Sequence, residues 1–186
     1  MAFEHFSLLA PFYDHLIHFG QADALIRWLE LPISGRLLDA GGGTGRVSAV
    51  LTGMSGEIIV TDISAGMLRQ AQRKELPVVN APAEELPFPN EVFERILMVD
   101  ALHHVADQTT VARELWRVLE PGGRLLIVEP DIRRLGVKGI ALFEKLALMR
   151  SHFLRPTEIV SLFDGTGGRS VIDVEASTAW VAINKI

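Results

Sequence analysis

The sequence predicts an α/β protein, a three-layer sandwich built around a mostly parallel sheet. Short apolar runs alternate with helical patterns, a glycine-rich turn follows the first run, and two strand-like runs adjoin near the end. Each early run is brief and nearly all apolar, as in a strand buried on both faces. Strict alternation of strand and helix requires crossover connections and therefore a parallel sheet. The five early runs are Arg36–Ala40, Ile58–Asp62, Pro77–Ala81, Arg95–Asp100 and Arg124–Glu129.

Helical patterns fill the intervals between these runs. Ser64 and Asp107 are of the residue types that cap a helix N-terminus, and each precedes an apolar periodic segment. The sequence Pro-Gly-Gly at 121–123 predicts where the helix after Asp107 ends. One further helix is predicted before the first strand, because four apolar residues follow the spacing i, i+3, i+4, i+7. They are Ala22, Leu25, Ile26 and Leu29.

The last two runs, Val171–Ala176 and Ala179–Ile186, are separated by only two residues. A parallel crossover needs about a dozen residues, so these two strands must pair antiparallel. The sequence therefore predicts a seven-stranded sheet that is mostly parallel and has an antiparallel last strand.

The composition is that of one ordinary globular domain. Of the 186 residues, 48% are hydrophobic and 22% are charged, which excludes disordered and coiled-coil classes. The absence of cysteine excludes disulfides, thiolate zinc sites and cysteine nucleophiles, and six scattered histidines predict no metal site. A net charge of -5 disfavours nucleic acid as a partner.

The hydropathy pattern predicts no integral membrane segment, because no window approaches the ~18 apolar residues that span a bilayer. The first twenty residues lack the basic start and the cleavage site of a secretory signal. We therefore expect a cytoplasmic location.

The turn after the first run carries the strongest ligand signal. Residues 39–45 read Asp-Ala-Gly-Gly-Gly-Thr-Gly, between a buried strand and the start of a helix. Glycines there permit positive φ and let a ligand approach the backbone, and the helix N-terminus offers N–H groups to a carboxylate or phosphate. The dinucleotide fingerprint G-x-G-x-x-G does not fit, because Arg46 and Ser48 stand where it needs glycine.

A carboxylate ends the second strand. Asp62 lies 21 residues past Gly41, and adjacent parallel strands end side by side, so it is expected beside the glycine turn. An acidic residue there can accept both hydroxyls of a ribose. Together, the two features predict a nucleoside ligand.

Five motifs now stand in order along residues 34–130. They read LLDAGGGTGR, TDIS followed two residues later by ML, A-x-AEELPF, ALHHV and LEPGGRLLIVEP. In this order and spacing the chain resembles the class I S-adenosylmethionine-dependent methyltransferases, most closely the type-11 branch with the quinone-biosynthesis methyltransferases. The resemblance implies a Rossmann-like sheet, S-adenosyl-L-methionine as cofactor and methyl transfer as the reaction. The final hairpin is similar to the antiparallel last strand with which this family closes its sheet.

The resemblance also implies roles for residues of the first two motifs. Gly41, Gly43 and Gly45 would wrap the methionine part of the cofactor. Asp39 would help to hold its ammonium end, directly or through water, and Asp62 would hold the ribose.

Further along the chain, the resemblance implies that Ile63 and Met67 form apolar walls against the adenine. Ala83 and Glu84 lie in the loop expected at the adenine edge, and Asp100 lies beside the reactive end of the cofactor. That loop departs from the family, in which many members carry Gly-Asp-Ala where residues 81–83 are Ala-Pro-Ala. Because proline has neither a side-chain acceptor nor an N–H, Glu84 or a backbone carbonyl would accept the adenine amino group.

Methyl transfer relies mainly on proximity and alignment, and a base is needed only when the acceptor must lose a proton. His103 and His104 follow the fourth strand, and we name them and Tyr13 as candidate catalytic residues. On a helical turn, two adjacent histidines are expected to point about 100° apart and not to act as a pair. Glu129 ends the fifth strand on the same rim, where a chemical role and an ion pair with an arginine are both open.

Two apolar segments lie outside the predicted sheet. One is an N-terminal stripe, and the other is a helix, apolar on two faces, around Ile140–Met149, where this family places substrate-recognition insertions. We predict that they meet over the cofactor with Tyr13 near the transferable methyl. The stripe consists of Phe3, Phe6, Leu9, Phe12, Leu16 and Phe19. The single domain, 1–186, is thereby divided into a helical cap (1–30), a cofactor-binding core (34–130), substrate-side helices (131–165) and a closing hairpin (170–186).

The favoured function is methyl transfer to a small, largely apolar acceptor. A non-catalytic cofactor-binding or scaffold protein with the same fold is one alternative, which Pro82 favours most. A nucleotide-dependent oxidoreductase is another, which Arg46 and Ser48 disfavour. Neither the acceptor nor the oligomeric state follows from the sequence.

Overall fold

A seven-stranded sheet forms the centre of the molecule in the computed structural model, which describes residues 22–131 and 152–186. The strands are β1 Arg36–Ala40, β2 Glu57–Asp62, β3 Val78–Asn80, β4 Phe93–Val99, β5 Leu119–Pro130, β6 Arg169–Glu175 and β7 Thr178–Asn184. Their order across the sheet is β3-β2-β1-β4-β5-β7-β6.

All neighbouring pairs among β1 to β5 are parallel, whereas β7 runs antiparallel to both β5 and β6. The predicted fold class, a mostly parallel seven-stranded sheet with an antiparallel last strand, is therefore confirmed. The chain proceeds from β1 outward to β3 and then returns to β4 on the other side of β1. The carboxyl ends of β1, β2 and β4 consequently meet where the strand order reverses, the position at which open α/β sheets bind ligands.

Helices follow β1, β2, β4 and β5, as the alternation predicts. The predicted strict alternation is wrong between β3 and β4, where residues 81–92 contain no helix, although β4 still pairs parallel to β1. The helices are α1 Ala22–Leu29, α2 Arg46–Val50, α3 Ala65–Arg73, a short 3-10 turn Leu102–His104, α4 Gln108–Val118 and α5 Pro156–Ser161. Both predicted caps are present. The Ser64 hydroxyl accepts a hydrogen bond from Met67 N–H, and the Asp107 carboxylate accepts from Thr109 and Thr110 N–H.

The core lies on both faces of the sheet, because successive residues of a strand point to opposite sides. Leu37 packs with Leu25 and Leu29 of α1 on one face, whereas Leu38 packs with Leu115 of α4 on the other. All five side chains are fully buried, and each such burial stabilises the fold by about 1.5–3 kcal/mol. The two clusters make the three layers that the sequence predicts.

Several predicted boundaries are wrong, most clearly at the end of α4 and in β3. Helix α4 ends at Val118, and Pro121-Gly122-Gly123 lies within β5 instead of ending that helix. The extended chain begins early because Leu119 pairs with Phe93, and a register shift before Arg95 accommodates the glycines. Gly122 has a φ of +78° there, a conformation that favours glycine. Strand β3 is shorter than predicted, Val78–Asn80.

Several predictions concern residues outside the described ranges. These are Tyr13, the apolar stripe from Phe3 to Phe19 and the two-faced helix around Ile140–Met149. Among residues 22–131 and 152–186, no helix is long and apolar enough to cross a membrane. The same ranges contain no group of three or more His, Cys, Asp or Glu placed to hold a metal ion.

Candidate functional site

A cavity opens at the carboxyl ends of β1, β2 and β4. Ten of the predicted site residues line it: Asp39, Gly41, Gly43, Asp62, Ile63, Met67, Ala83, Glu84, Asp100 and His104. Gly45 and His103 lie outside the lining, and Tyr13 is outside the described residues. The topology thus brings together side chains that are up to 65 positions apart in the sequence.

The glycine turn needs glycine for its backbone. Gly41, Gly43 and Gly45 have φ values of +71°, +56° and +69°, in the left-handed region that other residues enter at a cost of about 1–2 kcal/mol. A Cβ on Gly43 would have its nearest neighbour at 3.8 Å, the Asp62 carboxylate, so it would stand in the cavity. A Cβ on Gly45 would instead meet Leu76 Cδ1 at 2.5 Å, so Gly45 serves packing against α3.

The Asp62 carboxylate is fixed by two backbone amides. Its Oδ2 accepts from Gly43 N–H at 3.0 Å and its Oδ1 accepts from Ser64 N–H at 2.7 Å. Burial raises the pKa of this carboxyl group, and the two hydrogen bonds oppose that rise. The carboxylate is therefore held against the glycine turn with lone pairs left on both oxygens for a ligand.

Asp39 is buried at the end of β1, with 1% of its surface exposed. Its Oδ2 accepts from the Ser48 hydroxyl at 2.6 Å. Burial raises the pKa of Asp39 to about 6, although the Ser48 hydroxyl and the nearby Arg46 charge favour the ionised form. Ser48 occupies a position where the dinucleotide fingerprint needs glycine, and its hydroxyl positions the Asp39 carboxyl group in the cavity.

Sequence reasoning missed the role of Arg46. Its guanidinium lines the cavity and donates to Asp100 Oδ2 at 3.1 Å. Burial raises the pKa of the Asp100 carboxyl, Glu129 adds to that rise, and Arg46 opposes it. The available signal was the position itself, because a cation directly after a glycine turn can face an anionic ligand group.

The loop at the far end of the cavity is formed by Pro82, Ala83 and Glu84. Glu84 Oε1 accepts from Ala106 N–H at 3.0 Å, which ties the loop to the turn before α4. Pro82 lines the cavity, and Glu84, unlike its neighbour Glu85, lines it with an acidic side chain.

Glu129 holds the turn after β4. Its Oε1 accepts from the backbone N–H of Ala101 at 3.0 Å and of Leu102 at 2.8 Å, and its Oε2 lies 2.5 Å from His103 Nδ1. The ion pair with an arginine that was one interpretation of Glu129 is wrong; its partner is His103. His103 is 4% exposed and stacks on Phe153, so the Glu129–His103 pair lies in the packed interior and not in the cavity lining.

His104 lines the cavity, and its ring lies 3.9 Å from that of His103, centroid to centroid. The expectation that the two side chains diverge is therefore wrong, because the 3-10 turn and the stacking on Phe153 bring the rings together. Burial, with a smaller effect of His103, lowers the pKa of His104 to about 3. The imidazole is neutral at physiological pH and offers a weak base to the cavity.

An apolar group completes the lining at the end of β4 and in the turn that follows it. Met98, Val99, Ala101 and Val105 face the cavity beside His104. Met98 and Val99 carried no sequence signal, since apolar residues at a strand end are typical of any core, whereas Ala101 and Val105 belong to the ALHHV motif without having been assigned a role.

Comparisons with known proteins agree with this geometry. Residues 38–127 match a family model described as a methyltransferase domain. The ubiquinone/menaquinone biosynthesis C-methyltransferase UbiE of Proteus mirabilis is 40% identical over 105 residues, which are 50% of this chain and 42% of that protein. The protein of the same name from Coxiella burnetii is 35% identical over 124 residues, 61% of this chain and 50% of that protein. The chain thus spans about half the length of the curated relatives it matches.

Solved structures share the fold at low identity. An S-adenosylmethionine-dependent methyltransferase from Thermotoga maritima superposes with a TM-score of 0.83 at 21% identity and full coverage of both chains. One from Aquifex aeolicus gives 0.74 at 18% identity, covering 99% of this chain and 98% of that one. The fold and the matched segment define a class I methyltransferase domain. The predicted family is therefore confirmed, and S-adenosyl-L-methionine is the cofactor of that class.

Proposed function

We propose that this protein transfers the methyl group of S-adenosyl-L-methionine to a small, largely apolar acceptor. The observation that carries the proposal is the Asp62 carboxylate, fixed by Gly43 N–H at 3.0 Å beside a turn whose Cβ-free backbone lines the cavity. This arrangement suits a ribose joined to a methionine moiety. The carboxylate can accept hydrogen bonds from both ribose hydroxyls, and the backbone without Cβ atoms lets the methionine moiety approach closely.

The charged groups of the cavity suit the amino-acid end of that cofactor. Asp39 would face its ammonium, and Arg46, with Asp100 as its counter-ion, would face its carboxylate. At the opposite end, Ile63 and Met67 would contact the adenine rings. Glu84, which is oriented by Ala106 N–H, would accept the adenine amino group with its second carboxylate oxygen.

The acceptor pocket follows from the apolar group beside His104. A neutral imidazole among Met98, Val99 and Val105 can position an uncharged acceptor, but a group with a pKa of about 3 is too weak a base to ionise one. We therefore assign alignment rather than proton abstraction to His104, and a positioning role to His103 through the turn that Glu129 holds. Tyr13 stays a prediction for the methyl-transfer position.

A quinone-type ring is the first acceptor class to test, since the curated relatives are named as ubiquinone/menaquinone C-methyltransferases. In the reduced, hydroxylated ring a carbon next to a hydroxyl is nucleophilic. With the cofactor bound, that carbon would take the methyl group from the sulfonium sulfur and leave S-adenosylhomocysteine, and the ring proton would pass to solvent water as aromaticity is restored. The apolar lining agrees with such a ring.

Calorimetry with S-adenosylmethionine and S-adenosylhomocysteine tests cofactor binding. Asp62→Ala should weaken binding about 10- to 150-fold, because hydrogen bonds to a charged group contribute roughly 1.5–3 kcal/mol. Asp164→Ala, which removes an exposed carboxylate after α5, is the matched control and should bind normally. Unchanged affinity in a folded Asp62→Ala protein removes Asp62 from the site.

A panel of reduced quinones, catechols and amines then tests turnover by mass spectrometry of the products. Carbon methylation of a hydroxylated ring is the expected result. Tight cofactor binding without turnover on any acceptor class would favour the non-catalytic alternative.

A further inference from the structure

Strand β6 forms one edge of the sheet and is exposed along its length. It is the last strand in the sheet order and pairs with β7. Six of its seven residues are exposed, among them Val171 at 51% and Ile172 at 38%. An edge with exposed β-branched side chains is a template for pairing with another strand.

The hydrogen bonds of β7 show which backbone groups of β6 face outward. Gly122 N–H donates to Lys185 O, and Lys185 N–H donates to Gly123 O, so the odd-numbered residues of β7 bond to β5. Even-numbered residues of β7 therefore bond to β6. Because Arg169 pairs with Asn184, the odd-numbered residues of β6 bond to β7. The backbone N–H and C=O groups of residues 170, 172 and 174 consequently point away from the sheet.

The sequence of β6 is complementary to itself in an antiparallel arrangement. It reads Arg-Ser-Val-Ile-Asp-Val-Glu, with a cation at one end, an anion at the other and Ile172 at the centre. When two copies align about Ile172, each Arg169 stands opposite the partner's Glu175. Each outward-facing Ser170 likewise stands opposite the partner's Val174, and the two copies of Ile172 face each other.

We propose that β6 is a homodimer interface, in which two copies of this chain join their sheets antiparallel about a two-fold axis at Ile172. Ile172 exchanges two hydrogen bonds with the partner's Ile172, and each Ser170 exchanges two with the partner's Val174. On one sheet face the two copies of Ile172 pack together. On the other, each Arg169 pairs with the partner's Glu175. The Val174 N–H, which donates to Asp173 Oδ1 at 2.8 Å in the single chain, would donate to the backbone C=O of the partner's Ser170 in the dimer.

The charges favour an antiparallel over a parallel arrangement, and the number of backbone hydrogen bonds selects the register. Charged residues on an edge strand ordinarily block pairing, and a parallel arrangement here would place Arg169 beside Arg169 and Glu175 beside Glu175. An antiparallel shift by two residues removes both Arg169–Glu175 pairs. In one direction it sets each Arg169 opposite the partner's Asp173 instead, but within residues 169–175 it leaves four backbone hydrogen bonds where the proposed register has six. In the proposed register both pairs form, and each Arg169 is also a diagonal neighbour of the partner's Asp173.

The native mass of the full chain, measured by light scattering after gel filtration over a concentration series, tests the interface. The wild type should reach twice the 20.5 kDa of one chain. Arg169→Glu and Glu175→Arg should each place like charges opposite one another twice and give the monomer mass. The double variant should restore the dimer. Val50→Lys, an exposed substitution on α2, is the control and should stay dimeric.

A cross-link tests the axis independently, because the chain has no cysteine of its own. Directly opposed residues in a hydrogen-bonded antiparallel pair have Cα atoms about 5.5 Å apart, within disulfide reach. Ile172→Cys should therefore oxidise to a covalent dimer, whereas Val50→Cys should not. A wild type that is monomeric at every concentration overturns the proposal. The proposal is also overturned if Arg169→Glu and Glu175→Arg both remain dimeric while their thermal unfolding, followed by circular dichroism, is the same as that of the wild type.

Discussion

Asp39 shows how one residue couples the stability of the domain to its site. Its carboxyl group is fully buried at the end of β1, where its Oδ2 accepts a hydrogen bond from the Ser48 hydroxyl at 2.6 Å. Because desolvation raises its pKa from the ordinary 3.8 to about 6, the folded protein holds this proton at a pH where the unfolded chain has released it. Ionising Asp39 therefore costs folding free energy that a bound cofactor ammonium can offset.

Asp39→Asn should stabilise the empty protein above pH 6. In the wild type, this group's contribution falls as pH rises from about 4 to about 6, since the folded state binds more protons than the unfolded state in that window. The variant lacks this titration. The difference in unfolding free energy, measured by urea denaturation from pH 4 to pH 8, should grow in favour of the variant and level off near about 3 kcal/mol.

Cofactor affinity should change in the opposite direction. Asp39→Asn should bind S-adenosylmethionine more weakly at pH 7, and wild-type affinity should decline below pH 6 as Asp39 is protonated. Asp164→Asn is the control for both measurements. Parallel stability curves for wild type and Asp39→Asn would show that burial does not perturb this carboxyl group.

Residue pairing is the level at which the sequence was least informative. Asp62 could be placed beside the glycine turn because both sit at strand ends, and strand ends are visible in the sequence. The contact of Glu129 with His103 could not be found, because it depends on a positive-φ residue, Asp100 at +51°, and on a 3-10 turn that aims two backbone N–H groups at one oxygen. No sequence pattern marks that turn.

At the scale of elements, the glycine turn contains glycines that are needed for different reasons. Gly43 leaves room in the cavity, whereas Gly45 leaves room for Leu76 and Ala71 beneath α3. Both have positive φ, so both carry the same backbone cost of replacement by alanine. Replacing Gly43 should therefore mainly weaken cofactor binding, whereas replacing Gly45 should mainly lower the stability of the fold.

Gly43→Ala should lose at least 10-fold in cofactor affinity with a destabilisation of about 1–2 kcal/mol, because its Cβ meets only the cavity and the Asp62 carboxylate. Gly45→Ala should be destabilised by about 1–3 kcal/mol more, owing to overpacking against Leu76. Calorimetry and urea denaturation on the two proteins give the comparison. Equal affinity in the two variants would mean that the turn supports the fold only.

The order of elements was predictable because each strand and helix carries its own local pattern, whereas some of their ends were not. Asp107 and Ser64 cap helices where the sequence places them. The end of α4 moved because the tertiary pairing of Leu119 with Phe93 extends β5 towards the helix. Such a pairing joins residues 26 positions apart and outweighs the local signal of Pro121-Gly122-Gly123.

At the scale of the whole molecule, the two faces of the sheet have separate supports. Helix α1 buries Leu25 and Leu29 against β1, β5 and Trp180 of β7, and Trp28 stacks on Trp180 with centroids 6.1 Å apart. The other face is filled by α4 and by Ile159 and Phe163 around α5. Helix α1 contributes Leu25 and Leu29 to this core, and a deletion of residues 1–20 retains both.

Deleting residues 1–20 should therefore leave a folded domain while abolishing turnover. The sequence predicts that the apolar stripe from Phe3 to Phe19 and the helix around Ile140–Met149 close over the cofactor, excluding water and aligning the acceptor. The shortened protein should keep a cooperative thermal transition, bind S-adenosylmethionine more weakly and methylate no acceptor. In the full chain, hydrogen exchange should show both segments gaining protection together when the cofactor is added. If exchange in residues 140–149 is unaffected by cofactor and acceptor analogues, that segment is a core or partner-binding element, and the acceptor pocket must be sought elsewhere on the rim.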